Sequence, residues 1–309
     1  MKKIFIDGSA GTTGLRIYER LSQRDDISLI ILPEEKRKDF DERKKAINEC
    51  DVAFLCLPDD AAREAVSMIE NDTTVVIDTS TAHRTEPDWA YGFRELSDDF
   101  YNKIKNSKRI AVPGCHASGF IALVYPLIEN GFIDKDTCLV CHSITGYSGG
   151  GKKMIAEYES AERDMLLDGP RQYGLTQTHK HLKEMKKITG LNNEPIFSPI
   201  VAPFYSGMEV TVGIFKKDLQ NGKTIDDIKN LYEKKYNSQI VKYVEDAEEG
   251  FLSSVKLQGK DSMHIEVYGN EERIILTARY DNLGKGASGA AVQCLNIVLG
   301  QDETYGLDI

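Results

Sequence analysis

The chain has 309 residues, of which 41% are hydrophobic and 28% charged, and its formal net charge is −10. That length offers room for two domains with separate cores, and the composition is typical of a globular protein. No apolar run is long enough to cross a bilayer, and the basic residues are scattered among acids, so we expect neither membrane insertion nor nucleic-acid binding. The few apolar residues after Met1 do not form a secretory signal, so we expect a cytoplasmic protein.

The first residues predict a strand, a glycine-rich turn and a helix. The apolar stretch KKIFID precedes the turn GSAGTTG, and LRIYERL then has apolar residues at helical spacing. Such a turn directs backbone N–H groups and a helix dipole at an anion, although its G-x-x-G-x-x-G spacing also fits a purely structural turn. The residues that we expect to bind a cofactor phosphate are Gly8, Ser9, Gly11, Thr12, Thr13 and Gly14.

Strands and helices alternate through the next sixty residues. Strands are predicted at 27–32, 51–58 and 74–80, with a helix at 59–69, which indicates a Rossmann-type parallel sheet. Where many NAD-binding folds place an acid for a ribose hydroxyl at the end of the second strand, this chain has Leu32-Pro33, followed by EEKRK. We expect the basic residues Lys36, Arg37 and Lys38, the first two above all, to pair with a 2′-phosphate, which favours NADP(H) over NAD, although a solvated helix start is an equal alternative.

The stretch DTSTAHR stands at the carboxyl end of the predicted fourth strand, where open α/β sheets bind their ligands. Arg84 offers a planar fork suited to phosphate or carboxylate, and Ser80 offers a hydroxyl. We expect both to bind substrate. A surface ion pair is the alternative for Arg84.

The stretch VPGCHASG contains the candidate nucleophile. Pro113 and Gly114 predict a turn, so Cys115 would stand at the start of the following helix, where the dipole stabilises a thiolate. The other five cysteines lie in apolar contexts that would raise their pKa, and the C-x-x-C spacing from Cys138 falls in a predicted strand. A buried thiol is the alternative for Cys115. His116 is a poor candidate for its base because adjacent helical side chains diverge by about 100°.

The segment that follows predicts a different architecture. Strand-like stretches and two long polar helices, at 152–167 and 224–236, follow each other without strict alternation, which indicates an α+β domain with a mixed, largely antiparallel sheet. The final helix is apolar almost all round and should be buried. We predict a nucleotide-binding domain of residues 1–114 plus 287–309 and a catalytic, substrate and oligomerisation domain of residues 115–286.

Two polar stretches of this domain are candidates for chemistry. In THKHLKE, His181 and Glu184 are three residues apart, so a carboxylate can orient an imidazole that acts as acid and base. We expect His179 to contribute to substrate binding; a metal site lacks a third ligand at suitable spacing. In GYSGGGKK, Ser148 and Lys152 are candidates for an anion site, although such loops are commonly only turns.

Taken in order, GSAGTTG, DTSTAHR, VPGCHASG, HKHLKE and DNLGKGASGAAVQCLN resemble the N-acetyl-gamma-glutamyl-phosphate reductase family in its shorter form. The resemblance extends over essentially the whole chain. It implies NADPH-dependent reduction of an acyl phosphate, N-acetyl-gamma-glutamyl phosphate, to N-acetylglutamate 5-semialdehyde in arginine biosynthesis, through a cysteine thioester. It also implies a homo-oligomer, either a dimer or a tetramer.

The resemblance implies roles for individual residues. Cys115 would be the nucleophile, His181 the acid–base and Glu184 its orienting partner, while Arg84 would bind substrate. The residues implied in the nicotinamide pocket are Asn282 and Gly286.

This chain departs from the longer form of the family at a few positions. The longer form has an aromatic residue and a threonine where this chain has His116 and Ser118, and a proline where it has Lys183. Aspartate-semialdehyde dehydrogenase, from the wider superfamily, is the alternative activity. A non-catalytic NADP-binding sensor is an alternative of another class, against which the joint presence of Cys115 and His181 argues.

Overall fold

The computed structural model describes residues 1–245 and 247–309. The chain forms two compact units, the first of Met1–Pro113 with Ala287–Leu307 and the second of Gly114–Gly286 with Asp308–Ile309. No helix among the described residues is long and apolar enough to span a membrane.

The first unit is built on a sheet of six parallel strands in the order β2-β1-β3-β4-β6-β5. Its central strands are buried along their whole length, because helices cover both faces of such a sheet. The strands are β1 (Lys2–Asp7), β2 (Ile27–Ile30), β3 (Val52–Leu55), β4 (Val75–Asp78), β5 (Ala90–Tyr91) and β6 (Arg109–Ala111). The helices are α1 (Thr12–Leu21), α2 (Phe40–Glu49), α3 (Asp59–Ser67) and α4 (Asp98–Asn106).

The second unit contains a mixed sheet of seven strands in the order β11-β12-β13-β10-β7-β9-β8. Its central pairs are antiparallel, whereas β7 pairs with β9, and β11 with β12, in parallel. The strands are β7 (Val140–Gly146), β8 (Arg171–Gln172), β9 (Ile196–Ala202), β10 (Met208–Phe215), β11 (Val241–Tyr243), β12 (Met263–Gly269) and β13 (Arg273–Tyr280). The helices are α5 (Cys115–Glu129), α6 (Gly151–Glu159), α7 (His181–Thr189) and α8 (Ile225–Lys235).

The chain returns to the first unit with α9 (Gly289–Leu299). The helix is apolar almost all round, as the sequence predicts, and its buried residues join the core formed by the strands. Val292 and Leu295, for example, belong to the same cluster as Ile4 and Ile77. The first unit is therefore completed by residues from the far end of the chain.

Short helical turns connect several of these elements. The 3₁₀ turns are Glu34–Lys36, Arg94–Leu96, Tyr147–Gly150, Met165–Asp168 and Lys216–Asp218, and a π-helical turn spans Gly284–Ser288.

The predicted fold class, a Rossmann-type domain with an α+β domain, is confirmed. Three of the elements that differ from prediction have a clear local cause. The first long polar helix ends at Glu159 because Ser160 adopts an extended conformation. The predictions omitted β9, whose interior contains Pro199, a residue that lacks the N–H of a regular strand. They also left α2 undefined; Asp39 starts it by accepting a hydrogen bond from the Glu42 N–H.

Candidate active site

Cys115 is the first residue of α5 in the second unit, as the sequence predicts. Gly114 is the N-cap and has extended backbone angles, so the helix begins abruptly at the cysteine. The Cys115 side chain is half-buried. Gly286 leaves room beside it, because a Cβ built on that glycine would lie 3.1 Å from the Cys115 Cβ. The thiol thus occupies a helix N-terminus, which favours a thiolate.

The carboxylate of Glu184 connects α7 to the start of α5. Its Oε1 accepts a hydrogen bond of 2.8 Å from the Gly114 N–H. The helix α7 begins at His181, so His181 and Glu184 share its first turn, and both are buried. One carboxylate therefore links the turn that carries His181 to the residue before Cys115. Direct orientation of the His181 ring by Glu184 stays a prediction.

Three imidazoles form a cluster that includes the residue after Cys115. The ring centroids of His179 and His181 are 4.7 Å apart, and that of His116 lies 5.6 Å from His181 and 5.9 Å from His179. Phe197 on β9 contacts His116 and His179 edge to face. No group of three His, Cys, Asp or Glu side chains among residues 1–245 and 247–309 is arranged to hold a metal ion.

His116 is held between two hydroxyl groups. Its Nδ1 lies 2.6 Å from the Ser143 Oγ, and its Nε2 lies 2.7 Å from the Tyr173 hydroxyl. Burial, with a smaller contribution from the charge of His179, lowers the pKa of His116 to about 3. The ring is therefore neutral at physiological pH, which agrees with the interpretation that it is not the base. Neither Ser143 nor Tyr173 was predicted, because a strand hydroxyl and a loop phenol carry no motif.

The remaining cysteines are mostly shielded. Burial raises the pKa of Cys50 and of Cys56 to about 12 and raises the pKa of Cys141 further. Cys138 differs from the expectation: it is exposed, because it precedes the first residue of β7. All six thiols are free, as predicted for reduced cysteines.

The predicted anion loop of the second unit is only partly exposed. Ser148 is buried in its 3₁₀ turn, and its Oγ accepts a hydrogen bond of 3.0 Å from the Asn282 amide. The Asn282 Oδ1 in turn accepts one of 2.9 Å from the Gly207 N–H. Asn282 thus connects two segments of this unit, whereas Lys152 lies exposed at the start of α6. Substrate contact by Ser148 and Lys152, and nicotinamide contact by Asn282, stay predictions.

The glycine-rich turn of the first unit requires glycine at two positions. Gly8 has a φ of +85°, and a Cβ there would lie 2.3 Å from the Cys56 carbonyl oxygen. A Cβ on Gly14 would lie 2.4 Å from the Gly8 carbonyl oxygen. The helix α1 begins at Thr12 with Gly11 as its N-cap, so the N–H groups of its first turn are directed at this turn. Thr13 lies in the same helical turn.

A pocket of about 620 Å³ opens beside this turn. Gly8, Ser9, Arg37 and Lys38 line it, together with apolar residues such as Leu32. Its volume, apolar wall and adjacent helix N-terminus fit an adenine nucleotide.

Lys36 requires a correction to the prediction for this basic segment. Its ammonium group pairs with Glu42 at 2.5 Å, and the residue is not part of the pocket wall. Lys38, rather than Lys36, lines the pocket beside Arg37. The acid Glu34 also lines the pocket.

Arg84 and Ser80 lie in the segment after β4. Arg84 is buried and donates from Nε to the Val112 carbonyl at 2.8 Å and from Nη2 to the Thr79 carbonyl at 2.9 Å. The surface ion pair considered for it is therefore wrong. The Ser80 hydroxyl donates to Asp78 at 2.7 Å. Their contact with substrate stays a prediction.

Comparison with known families matches both parts of the chain. Residues 115–282 match the dimerisation domain of semialdehyde dehydrogenase, and residues 3–104 match the NAD binding domain of semialdehyde dehydrogenase. N-acetyl-gamma-glutamyl-phosphate reductase 2 of Nostoc sp. is 43% identical over 99% of this chain and 99% of its own length. The N-acetyl-gamma-glutamyl-phosphate reductase of Brucella ovis is also 43% identical, over 97% of this chain and 99% of its own.

Solved structures with the same fold have far lower sequence identity. Aspartate semialdehyde dehydrogenase II of Vibrio cholerae complexed with ASA has a TM-score of 0.74 and 16% identity, covering 97% of this chain and 98% of its own. The Candida albicans enzyme with NADP has a TM-score of 0.68 and 16% identity, over 97% of this chain and 98% of its own. At this identity they establish the fold alone.

The buried neutral His116 gives a pH dependence of stability. Because its pKa is about 3 when folded and about 6.5 when unfolded, the unfolded chain binds one more proton between these pH values. The free energy of unfolding should therefore decrease as the pH is lowered through this window, by about 2 kcal/mol from pH 7 to pH 5. The free energy of unfolding of His116→Gln, measured by urea titration at pH 7 and pH 5, should lack this difference of about 2 kcal/mol. Identical pH dependence of the variant and the wild type would contradict it.

Proposed function

The chain belongs to the N-acetyl-gamma-glutamyl-phosphate reductase family, and from this membership we propose that it reduces N-acetyl-gamma-glutamyl phosphate to N-acetylglutamate 5-semialdehyde and phosphate. NADPH is the proposed hydride donor, and arginine biosynthesis is the proposed pathway. The observation that carries the proposal is the half-buried Cys115 at the first position of α5, with the His116–His179–His181 cluster beside it. A cysteine in this environment suits covalent acyl transfer.

The first half of the reaction is transfer of the acyl group to sulfur. The Cys115 thiolate attacks the acyl carbon, the bond to the phosphate oxygen breaks, and phosphate leaves with the bonding electron pair. The product is a thioester on Cys115. The N-terminus of α5 lowers the energy of the thiolate before attack and of the negative charge that develops beside it.

The second half is reduction and release. NADPH, when bound, supplies the hydride that reduces the thioester carbonyl. His181 gives a proton to the oxygen as negative charge develops there, which prevents accumulation of an unstabilised alkoxide. When the carbon–sulfur bond breaks, His181 takes that proton back, and aldehyde and thiolate are released. Glu184 is a positioning residue, because its bond to Gly114 keeps the first turn of α7 against the start of α5.

The cofactor is assigned to the first unit. Gly8 and Ser9 would hold its phosphates together with the first turn of α1, and Arg37 and Lys38 would pair with the 2′-phosphate of NADP(H). Glu34 on the same pocket wall suits a ribose hydroxyl and therefore favours NAD(H). Arg43 and Asp7 also line the pocket but pair with each other, so Arg37 and Lys38 against Glu34 remain, which favours the phosphorylated coenzyme.

Aspartate-semialdehyde dehydrogenase activity, which applies the same chemistry to a shorter substrate, is the alternative function. The choice between them rests on identity of 43% to the named reductases against 16% to the solved aspartate semialdehyde dehydrogenases. Parallel assays with N-acetylglutamyl phosphate and aspartyl phosphate, following NADPH absorbance, test it. Faster turnover of aspartyl phosphate would reject the proposed substrate, and nucleotide binding without turnover of either would favour the sensor.

Replacing the nucleophile tests the covalent route. We expect Cys115→Ser to reduce turnover at least about 1000-fold, because a hydroxyl cannot form the thioester. The measurement is the reverse reaction, NADP⁺ reduction driven by aldehyde and phosphate.

His181→Asn provides a graded comparison for that test. It keeps the sulfur and removes only the proton donor, so we expect a loss of about 100- to 10,000-fold with NADPH affinity retained. Cys138→Ser is the matched control, since that thiol is exposed. Near-native turnover of Cys115→Ser would end the nucleophile assignment.

Coenzyme preference tests the basic segment. We expect Arg37→Ala with Lys38→Ala to raise the KM for NADPH by about 10- to 100-fold, the contribution of charged hydrogen bonds, and to leave the KM for NADH nearly unchanged. The matched control is Lys36→Ala, because its ammonium group pairs with Glu42. Equal KM changes for both coenzymes, or a larger effect of Lys36→Ala, would contradict this assignment.

We further propose that the chain forms a homodimer through the second unit. Exposed apolar side chains alternate with buried ones on its sheet: Phe215 on β10, Ile275 on β13 and Ile196 on β9. A second copy of the same face would cover them. The matched family description, a dimerisation domain, supports a second copy as the partner.

A charge on this face should weaken the dimer. We expect Ile275→Glu to shift the mass measured by light scattering toward the monomer, because each copy would bury an unpaired carboxylate. Met165→Glu, at an exposed apolar position outside the sheet, should leave the mass unchanged. A wild-type monomer at micromolar concentration, or an unaltered Ile275→Glu dimer, would reject this interface.

A further inference from the structure

A chain of three hydrogen-bonding groups lies next to Cys115 and is not used by the mechanism above. Ser143 on β7, the His116 ring and the Tyr173 phenol follow one another with separations of 2.6 Å and 2.7 Å. His116 belongs to α5 and adjoins Cys115 in sequence. Tyr173 is anchored at the sheet edge, where its N–H donates to the Pro199 carbonyl at 3.0 Å.

The direction of these hydrogen bonds follows from Ser143. This side chain is fully buried, and within residues 1–245 and 247–309 its only hydrogen-bond partner is the His116 Nδ1. A buried hydroxyl that fails to donate costs about 1–3 kcal/mol. Ser143 therefore donates to Nδ1, and that nitrogen is an acceptor.

The tautomer of His116 follows in turn. The ring is neutral, because burial lowers the pKa of His116 to about 3, so it carries one proton. Since Nδ1 accepts from Ser143, the proton resides on Nε2, which then donates to the Tyr173 oxygen. His116 thus acts as a fixed donor to the phenol.

The Tyr173 hydroxyl keeps its own hydrogen to donate elsewhere. Its only side-chain partner among the described residues is His116, from which it accepts. Burial, with a smaller contribution from the charge at Cys115, raises the pKa of Tyr173, so the phenol stays protonated. Its hydrogen bond of 2.7 Å to the ring of His116, the residue after Cys115, places it at the start of α5. The side chain is half-buried and so remains accessible to a substrate.

From this arrangement, and resting on the proposed function, we infer that Tyr173 donates a hydrogen bond to the acyl oxygen of the substrate at Cys115. Negative charge develops on that oxygen when the thiolate attacks and again during reduction of the thioester. Ser143 and His116 are positioning residues, because they direct the phenolic hydrogen away from the imidazole and toward the acyl group. No bond to Tyr173 forms or breaks.

Removing the hydroxyl alone tests the inference. Tyr173→Phe should lower kcat for N-acetylglutamyl phosphate by about 100-fold, the effect of losing one donor to an oxyanion, with little change in KM. Alkylation of Cys115 by iodoacetamide, monitored by mass spectrometry, should remain within about twofold of wild type, because the thiolate is stabilised by the helix rather than by the phenol. The matched control is Tyr125→Phe on α5, whose hydroxyl bonds Glu129.

The outcomes separate this inference from the proposed function. Wild-type protein without turnover of the acyl phosphate rejects the function itself. If the wild-type protein is active, a Tyr173→Phe variant with native kcat and KM overturns the inference. A variant with a raised KM at constant kcat also overturns it, because the phenol would then contact another part of the substrate.

A measurement on the unaltered protein tests the positioning residues even if a variant fails to fold. Ring nitrogen-15 chemical shifts of His116 at neutral pH should indicate the Nε2–H tautomer and persist down to pH 5. An Nδ1–H tautomer, or a cationic ring, would overturn the inference, because the phenol would then donate to His116 or lose its fixed donor.

Discussion

The hydrogen bond between the Gly114 N–H and the Glu184 carboxylate is the constraint on which the proposed active site depends. It joins two helices at their first turns, the positions where one carries a cysteine and the other a histidine. A carboxylate is suited to this position because it accepts from a buried N–H at the positive end of a helix. The cost is a negative group near a sulfur that must ionise. Its stabilising contribution is therefore geometric, since it holds the helix that begins at Cys115, the proposed nucleophile, against the helix that begins at His181, the proposed proton donor.

Much of this arrangement could be predicted from sequence. Strand, glycine turn and helix have a local pattern, and proline with glycine before Cys115 marks a helix start, so the starts of α1 and α5 were predictable. The sequence also indicated that Cys115 differs from the other cysteines, three of which have a raised pKa through burial.

Contacts that depend on tertiary neighbours were not predictable. Lys36 and Lys38 are equivalent in sequence, and only the position of Glu42 in the first turn of α2 separates them. Ser143 and Tyr173 are about thirty residues apart, in segments without a motif. Both contact the same imidazole only because α5 places His116 between them. Pro199 made β9 difficult to predict, because a proline is unusual inside a strand. The carbonyl group of Pro199 is also the acceptor for the Tyr173 N–H.

The position of α9 bears on how the protein is made. During synthesis the second unit, Gly114–Gly286, leaves the ribosome as one nearly continuous segment and can fold as soon as it emerges. The sheet of the first unit is translated before the second unit, yet the helix that packs into its core is translated after it. The apolar strands of this sheet therefore lack that helix until the whole second unit has been made, and during this interval they are a natural target for a chaperone.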